Sequence, residues 1–161
     1  MDSLLTVNTN QFGEINVKPD NIITFVQPIL GFDEFRKYVL IEDQKFFPIQ
    51  WIQSVENPEL AFPIVNPGLL NIKYDIDIAS TLISSLKLRN PDAVTIYTLL
   101  VIPSSRIDDV RTNLKAPIFI NLEERLAVQV VYEDSKYPVR HFLFKGQEIN
   151  MFSDERVEAK A

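Results

Sequence analysis

The sequence predicts a mainly β protein: a small β-barrel-like single domain with one short helix. Three observations point there. Short apolar runs recur between turn residues up to about residue 132, the spacing of a strand meander. Several runs alternate polar and apolar side chains, the period of a strand with one face in water. Only Asp77–Leu86 carries a helical period. With 161 residues, 46% of them hydrophobic, the chain can bury one real core.

The elements follow in order. Leu4–Val7 and Glu14–Val17 read as the first two strands, parted by Asn8-Thr9-Asn10 and Gly13. Lys18–Asn21 breaks the pattern, and Ile22–Phe25 is the third strand. Residues 26–35 read as a loop, with Pro28 and Gly31. Its aromatic pair, Phe32 and Phe35, has two readings: a plug at one end of a barrel, or an exposed patch for a partner. Tyr38–Ile41 is a strand. Phe46–Ser54 reads as a long one, with Phe47, Ile49 and Trp51 on one face. Pro48 has no N–H, which makes that strand an edge strand or a bulged one.

The stretch from Ser54 to Pro67 organises the rest. Asn57-Pro58 and Asn66-Pro67 punctuate it, because proline fixes φ and pushes the preceding residue towards extended geometry. A short apolar strand, Leu60–Val65, lies between them. The runs before and after the Glu56–Glu59 turn are therefore expected to be neighbours, with Glu56 and Glu59 standing at the turn.

After the irregular Leu69–Tyr74 segment, Ala79, Leu82, Ile83 and Leu86 share a helical face. Asp77 is placed to cap that helix and Asp75 to complement its dipole. Asn90-Pro91 closes it. Ala93–Ile102 is apolar on both faces, the mark of a central strand. Ser105 and Asp108 have capping-box spacing. Pro117–Ile120 is a short strand and Asn121–Arg125 a turn. In Leu126–Tyr132, Leu126, Val128, Val130 and Tyr132 alternate with Ala127, Gln129 and Val131. About nine strands and one helix result. The domain is placed at residues 1–144, and residues 145–161 are more polar and read as a mobile tail.

Composition narrows function. The net charge of −6 disfavours direct nucleic-acid binding and suits basic protein partners. There is no cysteine, which excludes disulfides and thiolate chemistry. The N-terminus lacks a basic region and a long apolar core, and no run nears the ~20 apolar residues of a membrane helix. A cytoplasmic protein is expected, without membrane contact.

Catalysis finds little support. His141 is the one histidine, and no serine has a nucleophile-elbow context. Zinc sites usually need several histidines or cysteines, and four glycines do not make a phosphate loop. Asp75 and Asp77 could serve as a carboxylate pair, but capping explains their spacing better. Asp108-Asp109 and Glu123-Glu124 read as solvated turn charges. No enzyme, cofactor or metal is expected. A ligand-binding barrel with an interior pocket between Trp51, Phe62 and Tyr97 is the alternative to a protein-binding module.

Four segments then carry a resemblance. Glu59-Leu60-Ala61-Phe62 with Val65-Asn66-Pro67 resembles the P-E-L-A-F…N-P signature of the bacterial flagellar assembly factor FliW family. Asn113–Asn121 is similar to its N-L-x-A-P-I-x-I-N. Phe25, Ile29, Gly31 and Phe32 resemble its F-x-x-G-I-P-G-F, although Pro28-Ile29-Leu30-Gly31 replaces Gly-Ile-Pro-Gly. Tyr137–His141 resembles its Y-x-x-R-H ending. The four occur in family order over about residues 10–143.

The resemblance implies a β-barrel-like protein without catalysis and with two partners. These are flagellin and the translational repressor carbon storage regulator A. Flagellin occupies the protein; once flagellin is exported, the protein binds the repressor and relieves flagellin mRNA. The expected partner-binding residues are Glu56, Asn57 and Glu59, Asn66 and Pro67, and Asp75 and Asp77. They sit at turns, and Glu59, Asn66 and Pro67 match the signature. Asn66 and Pro67 have a second reading, as residues that only shape a turn.

Overall fold

The computed structural model describes residues 3–103 and 109–143. Seven strands close into a ring: β3 (Ile23–Phe25), β4 (Lys37–Glu42), β5 (Gln50–Ser54), β6 (Ala61–Val65), β7 (Thr95–Val101), β9 (Ile118–Asn121) and β10 (Leu126–Gln129). Around the ring the order is β7-β6-β5-β4-β3-β10-β9, and β9 returns to β7. Every pairing is antiparallel except β3 with β10. Two short strands, β8 (Arg111–Thr112) and β11 (His141–Phe142), extend the sheet beyond β7. A separate hairpin of β1 (Leu5–Thr9) and β2 (Gly13–Val17) lies outside the ring.

The interior is filled by side chains. Each ring strand contributes at least one: Ile23 and Phe25, Tyr38, Ile52, Ile64, Tyr97, Ile118 and Ile120, and Ala127. Phe32 and Phe35 of the 26–35 loop pack against this cluster, with Phe32 edge-on to Phe62 at 5.0 Å. They are core, not an exposed patch. Gly31 takes φ +88° there, a conformation that glycine adopts without a Cβ penalty.

Register separates the expected pocket residues. Ile52 faces Phe62 across the β5–β6 pair, and both reach the interior cluster. Trp51 is one residue away, so its side chain leaves by the other face. It packs outside the ring between Phe12 and Phe46, each 5.6 Å away and edge-on. Trp51, Phe62 and Tyr97 therefore line no common pocket.

The segment before β5 also differs from expectation. Asp43 caps a 3-10 turn over Gln44–Phe46, accepting from the Lys45 N–H at 3.0 Å. Phe47-Pro48 follows, outside the ladder, and Phe47 is 62% exposed. Pro48 thus costs no ladder hydrogen bond, and β5 is a wall strand between β4 and β6, not an edge. Pro63 is inside β6, but the β6–β7 pairing starts only at Ile64.

The helix α1 is shorter than the helical period suggested, Ser80–Ser85. Its N-cap is Ala79, with no side-chain hydrogen bond, so Asp77 does not cap it. Its end is a Schellman motif: Lys87 takes φ 55° and donates to the Ser84 carbonyl, while Leu88 donates to that of Ile83. Leu82, Leu86 and Leu88 pack on Phe119 and Val128. Leu126, Val128, Val130 and Tyr132 all join that cluster, as their alternation predicts. β7 is central, pairing with β6, β8 and β9, although Val101 at its end is 51% exposed. Eleven strands stand among the described residues instead of nine, because β8 and β11 are too short to show a period. The Ser105/Asp108 spacing and the 145–161 tail lie outside the described residues.

Two predictions concern buried polar groups. Asn121 is 1% exposed; its amide donates to the carbonyls of Leu86 and Lys87, and its oxygen accepts from the Glu123 and Glu124 N–H groups. It ties the helix end to the β9–β10 turn. Asn121→Ala should lower stability by about 1–3 kcal/mol in urea unfolding, since it orphans groups on both sides. The Tyr38 hydroxyl is buried and has no partner among the described residues. Burial, aided by the Glu56 charge, pushes its pKa up to about 12. The folded state therefore holds the phenol proton beyond the unfolded value of about 10, and this contribution is lost as pH rises from about 10 to about 12. Tyr38→Phe should be as stable as wild type or more so at pH 7, and should lose less over that alkaline range.

Candidate functional site

The Glu56–Glu59 turn is built by side chains. Ser54 Oγ accepts from the Glu56 and Asn57 N–H groups at 3.0 and 2.9 Å. Asn57 Oδ1 accepts from the Glu59 N–H at 3.0 Å. The buried Gln53 amide lies within 3.1–3.3 Å of the carbonyls of Ser54, Asn57, Pro58 and Leu60. Glu56 itself accepts from the Arg36 and Lys37 backbone at 2.9 and 3.2 Å, so it holds β4 to this turn. Glu59 is exposed. The hairpin also reaches the turn, through the Asn10 N–H on the Pro58 carbonyl at 2.9 Å.

Asn66 and Pro67 stand at the other end of β6, roughly 17 Å along a five-residue strand. Asn66 Oδ1 accepts from the Gly68 N–H at 3.0 Å and caps a 3-10 turn over Pro67–Leu70, with Pro67 buried. Both residues do turn-shaping work. They share a cleft of 320 Å³ with Gly68, Ile72, Tyr74 and Val94–Ile96.

From Tyr74 the chain continues as a strap, residues 74–79, that leads to α1. Three tyrosines clasp it. Tyr74 donates to the Leu114 carbonyl. The Tyr137 oxygen accepts from the Asp75 N–H at 2.7 Å, and Tyr132 donates to the Asp77 carbonyl at 3.0 Å. The Tyr74 and Tyr137 rings meet edge-on at 4.9 Å. Burial pushes the Tyr74 and Tyr132 phenols up, with Asp77 adding to the second, so both remain donors near neutrality. The backbone of Asp75 and Asp77 is thereby occupied, while both side chains are exposed.

The structure thus brings Asn66 and Pro67 beside the strap, through Tyr74, and leaves Glu56, Asn57 and Glu59 apart from it. It also adds Glu133 and Asp134, which line one cleft with Asp75 and Asp77. No sequence period links residues 58 positions apart; the hint was an acidic turn between two tyrosines, Tyr132 and Tyr137. His141 lies in β11 and is half-buried. Among the described residues, no three His, Cys, Asp or Glu are grouped to hold a metal ion. No helix there is long and apolar enough to cross a membrane. Glu123, read as a solvated charge, pairs with Arg89 at 2.8 Å on the open surface, where a pair contributes little.

The family model described as FliW protein matches residues 6–143, which takes in every strand of the ring. The chain belongs to the FliW family. It is 36% identical to the flagellar assembly factor FliW of Ruminiclostridium cellulolyticum over 140 residues, 86% of this chain and 94% of that one. FliW of Caldicellulosiruptor bescii is 36% identical over 151 residues, 93% and 95% of the two chains. A crystal structure of the flagellar assembly factor FliW superposes with a TM-score of 0.81 at 30% identity, covering 90% of this chain and all of that one. The ring with one short helix is thus the architecture of FliW.

The clasp gives a direct check. Tyr137→Phe removes the oxygen that accepts from Asp75. Exchange of the Asp75 amide hydrogen should then quicken by roughly fivefold to tenfold, the equivalent of about 1 kcal/mol for one neutral hydrogen bond. Amides of β5 should keep their wild-type rates.

Proposed function

We propose that this FliW-family chain is a cytoplasmic flagellin-binding protein that, freed of flagellin, binds and antagonises carbon storage regulator A, and so controls flagellin synthesis. Family membership over residues 6–143 is the observation that carries this reading. The physical features agree with it. The ring interior is packed with side chains, so function falls to the outer surface. That surface belongs to a chain of net charge −6 and bears exposed carboxylates at turns and on the strap. An RNA-binding repressor needs basic surface for phosphates, and opposite charges speed and orient the encounter. The work is binding, with no bond made or broken.

Glu59, Asp75 and Asp77 are the strongest of the expected contact residues, because their side chains are exposed. Glu56, Asn57, Asn66 and Pro67 act first through the shape of their turns. Titration calorimetry of the chain with its own organism's flagellin and regulator, separately and in competition, tests the reading. Binding to both, with flagellin displacing the regulator, is expected. Glu59→Lys or Asp77→Lys should each weaken one partner by about tenfold, since reversal against a basic surface costs more than truncation. Binding to neither partner would remove the proposal.

A further inference from the structure

β6 stops pairing with β7 early, and its last rung is Val65 with Thr98. Two bonds on the other side of β7 fix which way its backbone groups point. The Leu99 carbonyl accepts from the Asn113 N–H at 3.0 Å, so Leu99 faces β8. The Val130 N–H donates to the Pro117 carbonyl at 3.0 Å, so Pro117 faces β10, and Ile118, one residue on, faces β7. Ile118 pairs with Tyr97. Tyr97 and Leu99 therefore point their N–H and carbonyl groups away from β6, while Ile96 and Thr98, which alternate with them, point theirs towards it. Thr98 meets Val65 there, and the next rung would set Ile96 against Pro67. Proline has no N–H, and the Pro67 carbonyl already accepts from Asn71 and from Ile72, the latter at 3.4 Å. Val94, extended at φ −89° and ψ 143°, points the same way as Ile96, but the chain opposite it has turned off into the 3-10 turn over Pro67–Leu70. Two rungs of β7 thus lie beyond the end of β6, along the 320 Å³ cleft bordered by Asn66, Pro67, Ile72 and Tyr74.

We propose that this cleft binds an extended peptide segment of another protein, which adds to β7 as a short strand at Val94 and Ile96. N–H and carbonyl groups that alternate along one edge are matched by the backbone of about three extended residues. Side chains paired with Val94 and Ile96 share their face of the sheet. That face is apolar, because Val94 and Ile96 pack on the α1 cluster and Ile72 lines the cleft. The segment is therefore apolar at the two paired positions. Charge sets its flanks. Within two residues of the lining, the charged side chains are Lys73, Asp75 and Asp92, all exposed and acidic in sum. Lysine or arginine on either side of the apolar residues suits that rim. A second copy of this chain would bring a net charge of −6 to it. Both walls are set in advance, since Asn66 caps the 3-10 turn and Tyr74 is held by the Leu114 carbonyl. Little ordering then remains to oppose binding. The site stands on the ladder and on Pro67, whichever partners the chain has.

Amide NMR of the full chain, titrated with the capped peptide acetyl-Lys-Val-Thr-Val-Lys-amide, tests the slot. The Val94 and Ile96 amides should shift, with a Kd of about 1 mM for so short a probe. A twin peptide N-methylated at both valines lacks the pairing donors and should bind about tenfold more weakly or worse. A second twin, with glutamate for both lysines, should bind about threefold more weakly at low salt. Pro67→Val gives β6 an N–H opposite Ile96, lets that strand run on into the slot, and should weaken the first peptide about tenfold. Equal binding by either twin would overturn the proposal, for want of a ladder in the first case and of an acidic rim in the second. Unchanged binding to Pro67→Val would do so as well. Shifts confined to amides outside the cleft, or no shift up to about 10 mM peptide, would also sink it. Slow exchange of the Ile96 amide before any peptide is added would mean that this chain or a second copy already fills the slot, and would overturn it too.

Discussion

A ring of seven strands cannot reverse direction at every step. At least one neighbouring pair must run parallel, and here it is β3 with β10. Parallel neighbours need a long connection, and this one contains β4 to β9, nearly the whole barrel wall. The Thr24 N–H bonds the Arg125 carbonyl at 2.9 Å, and the Val26 N–H bonds that of Ala127 at 2.8 Å. These bonds join residues about a hundred positions apart, so closure comes only with all the intervening strands in place. The interior of such a small ring is narrow, and isoleucine, phenylalanine and tyrosine fill it.

A filled interior moves everything else outward. The outer faces of β5, β7, β9 and β10 are apolar and have to be covered. Phe12 of the hairpin and Phe46 of the capped turn enclose Trp51 on one side. The leucines of α1 cover Phe119 and Val128 on another. The strap alternates, with Ile76 and Ile78 packed against the α1 cluster and Asp75 and Asp77 exposed. Tyrosine hydroxyls fix its backbone and leave its carboxylates in water. The same bonds that anchor it also build one wall of the acidic cleft.

Local rules succeeded where one periodic face met one surface. Leu126 to Tyr132 is such a case. They misled where a distant partner outbid a nearby one. Asp77 stands near α1 in sequence, yet the helix starts at Ser80 with Ala79 as its N-cap, and the Asp77 carbonyl is held from across the fold by Tyr132. Phe46–Ser54 reads as one long strand with a fault at Pro48, but the Asp43 cap sets a 3-10 turn over Gln44–Phe46 and the strand starts only at Gln50. Trp51 and Phe62, expected at one pocket, stand on opposite faces because register pairs Phe62 with Ile52.

The sequence by itself determined the β class, the order of the main strands, the Asn-Pro turns and the family. Each of these rests on short-range pattern: alternation, proline geometry and contiguous motifs. Only the tertiary structure decided that the ring closes through a parallel pair, that its interior holds no pocket for Trp51, and that Glu133 and Asp134 join Asp75 and Asp77. Those outcomes depend on which strand lies beside which. That choice is set by long-range closure and by hydrogen bonds across the whole chain, and no local period encodes it.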